Sequence, residues 1–290
     1  MPEAKLYIDL LKQTVADTLH DRTWYVPVSR PKGLMKRVLS DLFAAQGITL
    51  VREVDPSIRG EGSERPPSQT GTAWLDATSA FTLLGQERLD NLQWCVEDVL
   101  RRKVPGDMIE TGVWRGGACI LMRAILKAHG VRDRKIWAAD SFEGLPPADP
   151  SQYPLDRHSR FHQQRGFAVS LEEVRHNFEK FGLLDDQVEF VKGWFCDTLP
   201  ALAGHTWALM HLDGDMYEST AEALENLYPG LSPGGYVIVD DFGAVPACRQ
   251  AVLDFRKKYG IKEEMRVTDW TGVYWQREST DVSLLVNRAS

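Results

Sequence analysis

The sequence predicts an α/β fold, a doubly wound and mostly parallel sheet with an N-terminal helical appendage. Three observations predict it. Short apolar runs alternate with amphipathic stretches from residue 107 to residue 259, and alternating βα units form parallel sheets with right-handed crossovers. The apolar runs end in Gly or Asp, residues suited to the ligand-facing carboxyl ends of such strands. The first 72 residues lack the alternation and read as helices and a polar linker.

Leu6, Leu10, Leu11, Val15 and Leu19 recur at helical spacing and predict a helix over 4–20. A second helix is expected over 33–46. "EVDPSIRGEGSERPPSQTG" (53–71) is polar and rich in Pro and Gly, as loops and linkers are. The expected division is therefore an N-terminal helical or lid region over 1–72 and a main domain over 73–290. Residues 86–102 form an amphipathic helix ended by Pro105-Gly106. Strands follow at 107–112, 135–140, "QVEFVKG", 207–213 and 235–241. Helices are expected over 116–129, 170–182, 197–203, 217–228 and 246–259. "TGVYWQR" and "DVSLLVN" read as a late antiparallel pair at the sheet edge.

The 290 residues suit one large α/β domain with an appendage. A net charge of −7 argues against a nucleic-acid partner. No apolar run approaches the roughly 20 residues that span a bilayer, and "MPEAKLYIDLLKQ" lacks the basic and apolar regions of a secretory signal. Cys95, Cys119, Cys196 and Cys248 stand far apart, as reduced thiols of a cytoplasmic protein do. The expectation is a cytoplasmic protein with no membrane partner.

"IETGVWRGGAC" joins the first main strand to its helix. A dinucleotide fold has G-x-G-x-x-G there, with pyrophosphate on the helix N-terminus. Here Glu110 stands at the strand end, where it repels phosphate. S-adenosylmethionine carries an ammonium and a sulfonium and no phosphate, so it suits the acidic turn better than NAD does. Asp140 ends the next strand, where an acid accepts from ribose hydroxyls. Phe142 is placed to lie against adenine, and Gly193 and Trp194 to line its pocket. Trp114, inside the first turn, is the tryptophan expected to touch a ligand.

Asp213 and Asp215 end one strand, and Asp240 and Asp241 end the next. Neighbouring strands lie about 4.8 Å apart, so adjacent tips would crowd these carboxylates together. Such crowding calls for a cation, and oxygen ligands favour a hard divalent ion such as Mg²⁺. The alternative is that each aspartate caps the helix after it. His158 and His162, four apart, read as solvated loop residues with a metal pair as the alternative, and His211 as a core or sheet-face histidine with substrate contact as the alternative.

"GDMIETGVWRGGACILMRAIL", "AADSFEGLP", "FVKGWFCDTLP", "HLDGDMYEST" and "VDDFG" resemble the macrocin-type O-methyltransferases, which tailor hydroxyls on antibiotics and other natural products. The likeness covers roughly residues 75–280 and is weaker over the first 70. It implies a class I methyltransferase fold of Rossmann type, S-adenosylmethionine as donor and Mg²⁺ as metal. By position it implies that Asp213, Asp240 and Asp241 hold the metal and that Asp215 is the general base. Asp213 then serves catalysis as well. Glu110, Thr111, Gly112, Val113, Gly116, Gly117, Asp140 and Ser141 would hold the donor. Thr82 and Ser170 join that set on resemblance alone. The implied partners are a small-molecule acceptor, a glycosylated natural product first, and a second copy of the chain in a homodimer.

Three readings compete with this one. A catechol- or phenol-type Mg²⁺ methyltransferase would chelate the same ion with vicinal oxygens. A non-catalytic binder would keep the cofactor pocket alone, and an NAD oxidoreductase would need a different first turn. The segment 143–168 exceeds an ordinary connection and reads as part of the acceptor pocket or a lid.

Overall fold

The computed structural model describes residues 2–18, 24–27, 51–54 and 80–278. The chain divides into two compact units, residues 1–16 with 80–290, and residues 17–79. In the smaller unit, β1 (Trp24–Pro27) pairs antiparallel with β2 (Val51–Val54), Trp24 opposite Val54. The linker expected from residue 53 thus begins inside a strand. The helix expected over 33–46, most of the linker and "DVSLLVN" lie outside the described residues.

The larger unit opens with α1 (Pro2–Val15), which stops short of the expected residue 20. Asp17 adopts a left-handed φ of 53°, which helices do not continue through. Ile8, Leu11 and Val15 are buried, and α1 packs on α3 (Gly117–Ala128). Between them comes α2 (Gln86–Arg101), which buries Leu89, Leu92, Cys95, Val96 and Val99 at helical spacing.

The main sheet contains β3 (Asp107–Thr111), β4 (Ile136–Asp140), β5 (Val188–Lys192), β6 (Trp207–Leu212) and β7 (Leu231–Val239). The short β8 (Arg266–Val267) and β9 (Val273–Gln276) complete it. The order is β5-β4-β3-β6-β7-β9-β8, parallel except where β9 meets β7 and β8. Succession runs outward from β3 to β5 one way and from β6 to β7 the other. The switch point between β3 and β6 opens a crevice above the strand ends. All of β6 is buried, as a central strand covered on both faces must be. One apolar layer contains α1, α2, α3 and α4 (Leu171–Lys180). The other contains α6 (Tyr217–Leu227) and α7 (Pro246–Tyr259). The turn after β5 forms α5 (Phe195–Thr198).

β7 begins four residues before its predicted start. A register shift in the β6–β7 ladder accommodates "SPGG" within the strand. The larger sheet therefore matches the predicted class, with the late antiparallel edge supplied by β9 and β8.

Candidate active site

Register decides which side chains meet. β6 and β7 pair Leu212 with Val239, so Asp213 and Asp240 are the next residues on. The ladder continues past the strands: the Asp213 amide donates to Thr111 O (2.8 Å) and the Asp240 amide to Leu212 O (3.0 Å). Gly112 completes the line. Its φ is +88°, and a Cβ there would fall 1.7 Å from the Asp213 carbonyl oxygen. Only a residue without a side chain lets β3 and β6 approach this closely. Gly112→Ala is expected to destabilise the protein by more than about 3 kcal/mol, which a denaturant titration would measure.

Asp213, Asp240 and Asp241 each place a carboxylate oxygen within 4.8 Å of the others. One oxygen of Asp240 pairs with Arg88 of α2; the other, Oδ1, is buried without a hydrogen-bond partner. Asp215 sits beside them with a left-handed φ of 59°, tolerable for an aspartate, and its amide donates to Asp241 Oδ2 (3.2 Å). Burial first, then the charges of Asp240, Asp241, Asp215 and Glu110, push the Asp213 carboxyl well above the usual range. Burial with Asp241 and Asp240 does the same to Asp215. Asp241 rises to about 7 through burial and Asp240, with Arg88 opposing.

The helix-cap alternative fails at these positions. α6 has no cap bond from the residue at its own N-cap, Met216, and its first amides are satisfied from elsewhere. Asp156, from the long 143–168 segment, accepts from the amides of Tyr217 (2.9 Å) and Glu218 (3.0 Å). α7 likewise takes no side-chain cap bond at Val245. The cluster aspartates therefore do not serve as the caps of α6 and α7.

A cavity of about 300 Å³ opens beside the cluster, at the lower end of ligand pockets. Gly112, Trp114, Asp140 and Ser141 line one part of it, Gly193 and Trp194 another, and Asp213 and Asp215 a third. The structure thus brings these predicted residues together. The Asp140 carboxylate accepts from the amides of Val113 (2.6 Å) and Phe142 (2.7 Å). Burial raises its pKa against these bonds. The Ser141 hydroxyl donates to Gly144 O (2.6 Å). Trp114 Nε1 donates to Gly166 O (2.8 Å), tying the first turn to the long segment. That segment also lines the cavity through Gly144–Pro147 and Phe167.

Other predicted residues stand outside the cavity lining. The Phe142 ring is buried in the core against Phe190, centroids 6.4 Å apart. The Ser170 hydroxyl accepts from the Glu173 amide (3.2 Å) and so caps α4. Thr82 is buried, its hydroxyl accepting from the Leu84 amide (3.2 Å). Gly117 lies under it, where a Cβ would fall 2.7 Å from Thr82 Cβ, and Gly116 precedes it as the N-cap of α3. Thr111 and Val113 are buried beneath the first turn.

Glu110 is buried, and its carboxylate accepts from the Cys119 amide (3.1 Å) and meets His211 Nδ1 (3.0 Å). Burial opposes charge on His211, but Glu110 and Asp240 outweigh it and raise the imidazole pKa. His211 is a core residue, as its strand position suggested, and His158 and His162 are exposed.

Besides Asp156, sequence reasoning missed four charged residues here. Arg88 answers part of the cluster's charge, and Asp269 pairs with Arg88 (3.0 Å). Glu218 and Glu222 line the cavity one helical turn apart, and burial with Glu218 lifts Glu222 to about 7. Their i, i+4 spacing on α6 is the one signal that was available.

A doubly wound sheet whose strand tips carry a glycine turn, a ribose-type acid and an acidic cluster defines a class I methyltransferase. The chain belongs to the macrocin O-methyltransferase family: the family model "Macrocin-O-methyltransferase (TylF)" matches residues 4–277. It is 49% identical over 255 residues to the 8-demethyl-8-(2,3-dimethoxy-alpha-L-rhamnosyl)-tetracenomycin-C 4'-O-methyltransferase of Streptomyces olivaceus, covering 87% of this chain and 94% of that protein. It is 45% identical to the demethyldecarbamoylnovobiocin O-methyltransferase of Streptomyces niveus, covering 95% and 94%. The solved structure of the O-methyltransferase NovP superposes with a TM-score of 0.77 at 43% identity, covering 95% of this chain and 100% of that one. The chain is accordingly a methyltransferase of natural-product biosynthesis. No helix among the described residues is long and apolar enough to cross a membrane.

Proposed function

We propose that the protein transfers a methyl group from S-adenosylmethionine to a sugar hydroxyl of a glycosylated natural product, with Mg²⁺ as metal. One observation carries the metal: Asp240, whose buried Oδ1 accepts no hydrogen bond, shares a cluster of carboxylate oxygens with Asp213 and Asp241. Orphaned buried acceptors are costly, and a hard cation relieves the cost. The relatives support the acceptor class, since one is named for a rhamnosyl position.

In this reading Asp213, Asp240 and Asp241 hold Mg²⁺. The ion supplies positive charge that makes a poorly acidic hydroxyl easier to deprotonate, and the donor supplies a methyl group on a sulfonium sulfur. Asp140 keeps acceptor capacity for ribose hydroxyls beyond its two close amide contacts. Gly193 and Trp194 flank the base, and Gly112 and Trp114 the amino-acid end. Asp215, beside the cluster, takes the proton from the acceptor hydroxyl as the methyl transfers. Gly144–Pro147 and Phe167 form the wall that excludes water and shapes the acceptor site. Glu110 acts from behind, through His211. A homodimer and a cytoplasmic location belong to the same reading and rest on resemblance and composition.

The test is mass spectrometry on a panel of glycosylated and catechol acceptors, with Mg²⁺ and with EDTA. The expected result is the gain of one methyl group on a sugar-bearing acceptor, abolished by EDTA. Full methylation in EDTA would remove the metal from the account, and methylation of catechols alone would replace the acceptor class.

A further inference from the structure

Arg88 is a permanent cation that the structure places at the cluster, where His211 Nε2 also lies 4.0 Å from Asp240 Oδ1. Its side chain is 13% exposed and bridges Asp240 and Asp269, which are 7% and 6% exposed. Its Nη2 also donates to Leu83 O (3.3 Å). Asp269 is held in turn by the amides of Thr271 (3.0 Å) and Gly272 (2.7 Å). Gly272 leaves room for the arginine, since a Cβ there would fall 3.1 Å from Arg88 Cδ. The guanidinium is thus held between two buried carboxylates, although its Nε makes no hydrogen bond.

So held, it acts on an incoming divalent ion in two opposed ways. It engages one oxygen of Asp240 and leaves Oδ1 without a hydrogen bond, which favours binding. It also puts a positive charge against a metal ligand, which opposes binding. The first effect is confined to side-chain rotation, because the Asp240 backbone is already held by its amide bond to Leu212 O (3.0 Å) and by the Thr271 hydroxyl on its carbonyl (2.7 Å). The second is a direct repulsion in a poorly solvated place, where charges act strongly.

We propose that Arg88 is a positioning residue that serves as resident counter-charge, keeping the cluster folded when empty and its divalent ion exchangeable. The inference rests on the reading of Asp213, Asp240 and Asp241 as a cation site. Between turnovers Arg88 offsets the repulsion among the carboxylates. When Mg²⁺ binds, Arg88 weakens its hold, so that the ion equilibrates with solution.

The test is calorimetric titration of the full chain with MgCl₂, alongside thermal unfolding with and without Mg²⁺. Arg88→Met removes the charge at similar length and is expected to bind Mg²⁺ at least about tenfold more tightly. It should also melt lower than wild type without Mg²⁺ and gain more on its addition. Arg88→Lys keeps the charge and stays within about threefold of wild type. Asp269→Asn still accepts both amides but no longer offsets Arg88, so it binds Mg²⁺ more weakly, by about threefold or more. Unchanged or weaker binding by Arg88→Met overturns the inference and leaves the cation site standing. Should Arg88→Met not fold, unchanged or tighter binding by Asp269→Asn overturns it instead. A wild-type protein that takes up no Mg²⁺ overturns the cation site and this inference together.

Discussion

Asp240→Ala is expected to lower turnover about a thousandfold while S-adenosylhomocysteine still binds within about threefold of wild type. Asp240 lies at the tip of β7, where it shares the cluster with Asp213 and Asp241. The cavity lining that would receive the donor draws on other strands, through Gly112, Asp140 and Gly193. Removing Asp240 deletes the orphaned Oδ1 and leaves Arg88 with Asp269 as its ion-pair partner. The donor half of the site stays intact. Single-turnover kinetics and calorimetry with S-adenosylhomocysteine measure the two halves separately. A proportionate loss of both would show that Asp240 supports the fold rather than the chemistry.

Asp215→Asn is the second large effect. The substitution keeps shape and the left-handed backbone, which asparagine adopts as readily as aspartate. It removes the proton acceptor next to the cluster. Turnover should fall about 10²- to 10⁴-fold, the usual worth of a general base. Mg²⁺ affinity should change little, because Asp215 is not one of the three residues that share the 4.8 Å cluster. Turnover and Mg²⁺ affinity falling together would make Asp215 a metal ligand instead.

The two carboxylate pairs were legible in the sequence because strand ends are legible. An apolar run that stops at Asp213, and another that stops at Asp240, place their side chains at neighbouring tips once the sheet order is right. Asp140 was legible for the same reason. Arg88 was not. In "GQERLDNL" it reads as one charge on the solvated face of an amphipathic helix. Only the docking of the start of α2 over the tip of β7 turns it inward. Asp156 was hidden by a different cause: a loop has no periodicity, so nothing local says that its carboxylate reaches across to cap α6. Glu110 shows the limit of reading a strand end alone. Its position was right, but its side chain alternates into the core, where Cys119 and His211 engage it. Phe142 likewise turns from the crevice to Phe190.

The central claim is that neighbouring strand tips pool their carboxylates around one divalent ion. Crystals soaked in Mn²⁺, with anomalous scattering recorded, test it most directly. The account predicts one strong anomalous peak bounded by Asp213, Asp241 and Asp240 Oδ1, with Arg88 still on the other Asp240 oxygen. A cluster without a peak at saturating Mn²⁺, its carboxylates turned away from one another, would contradict it.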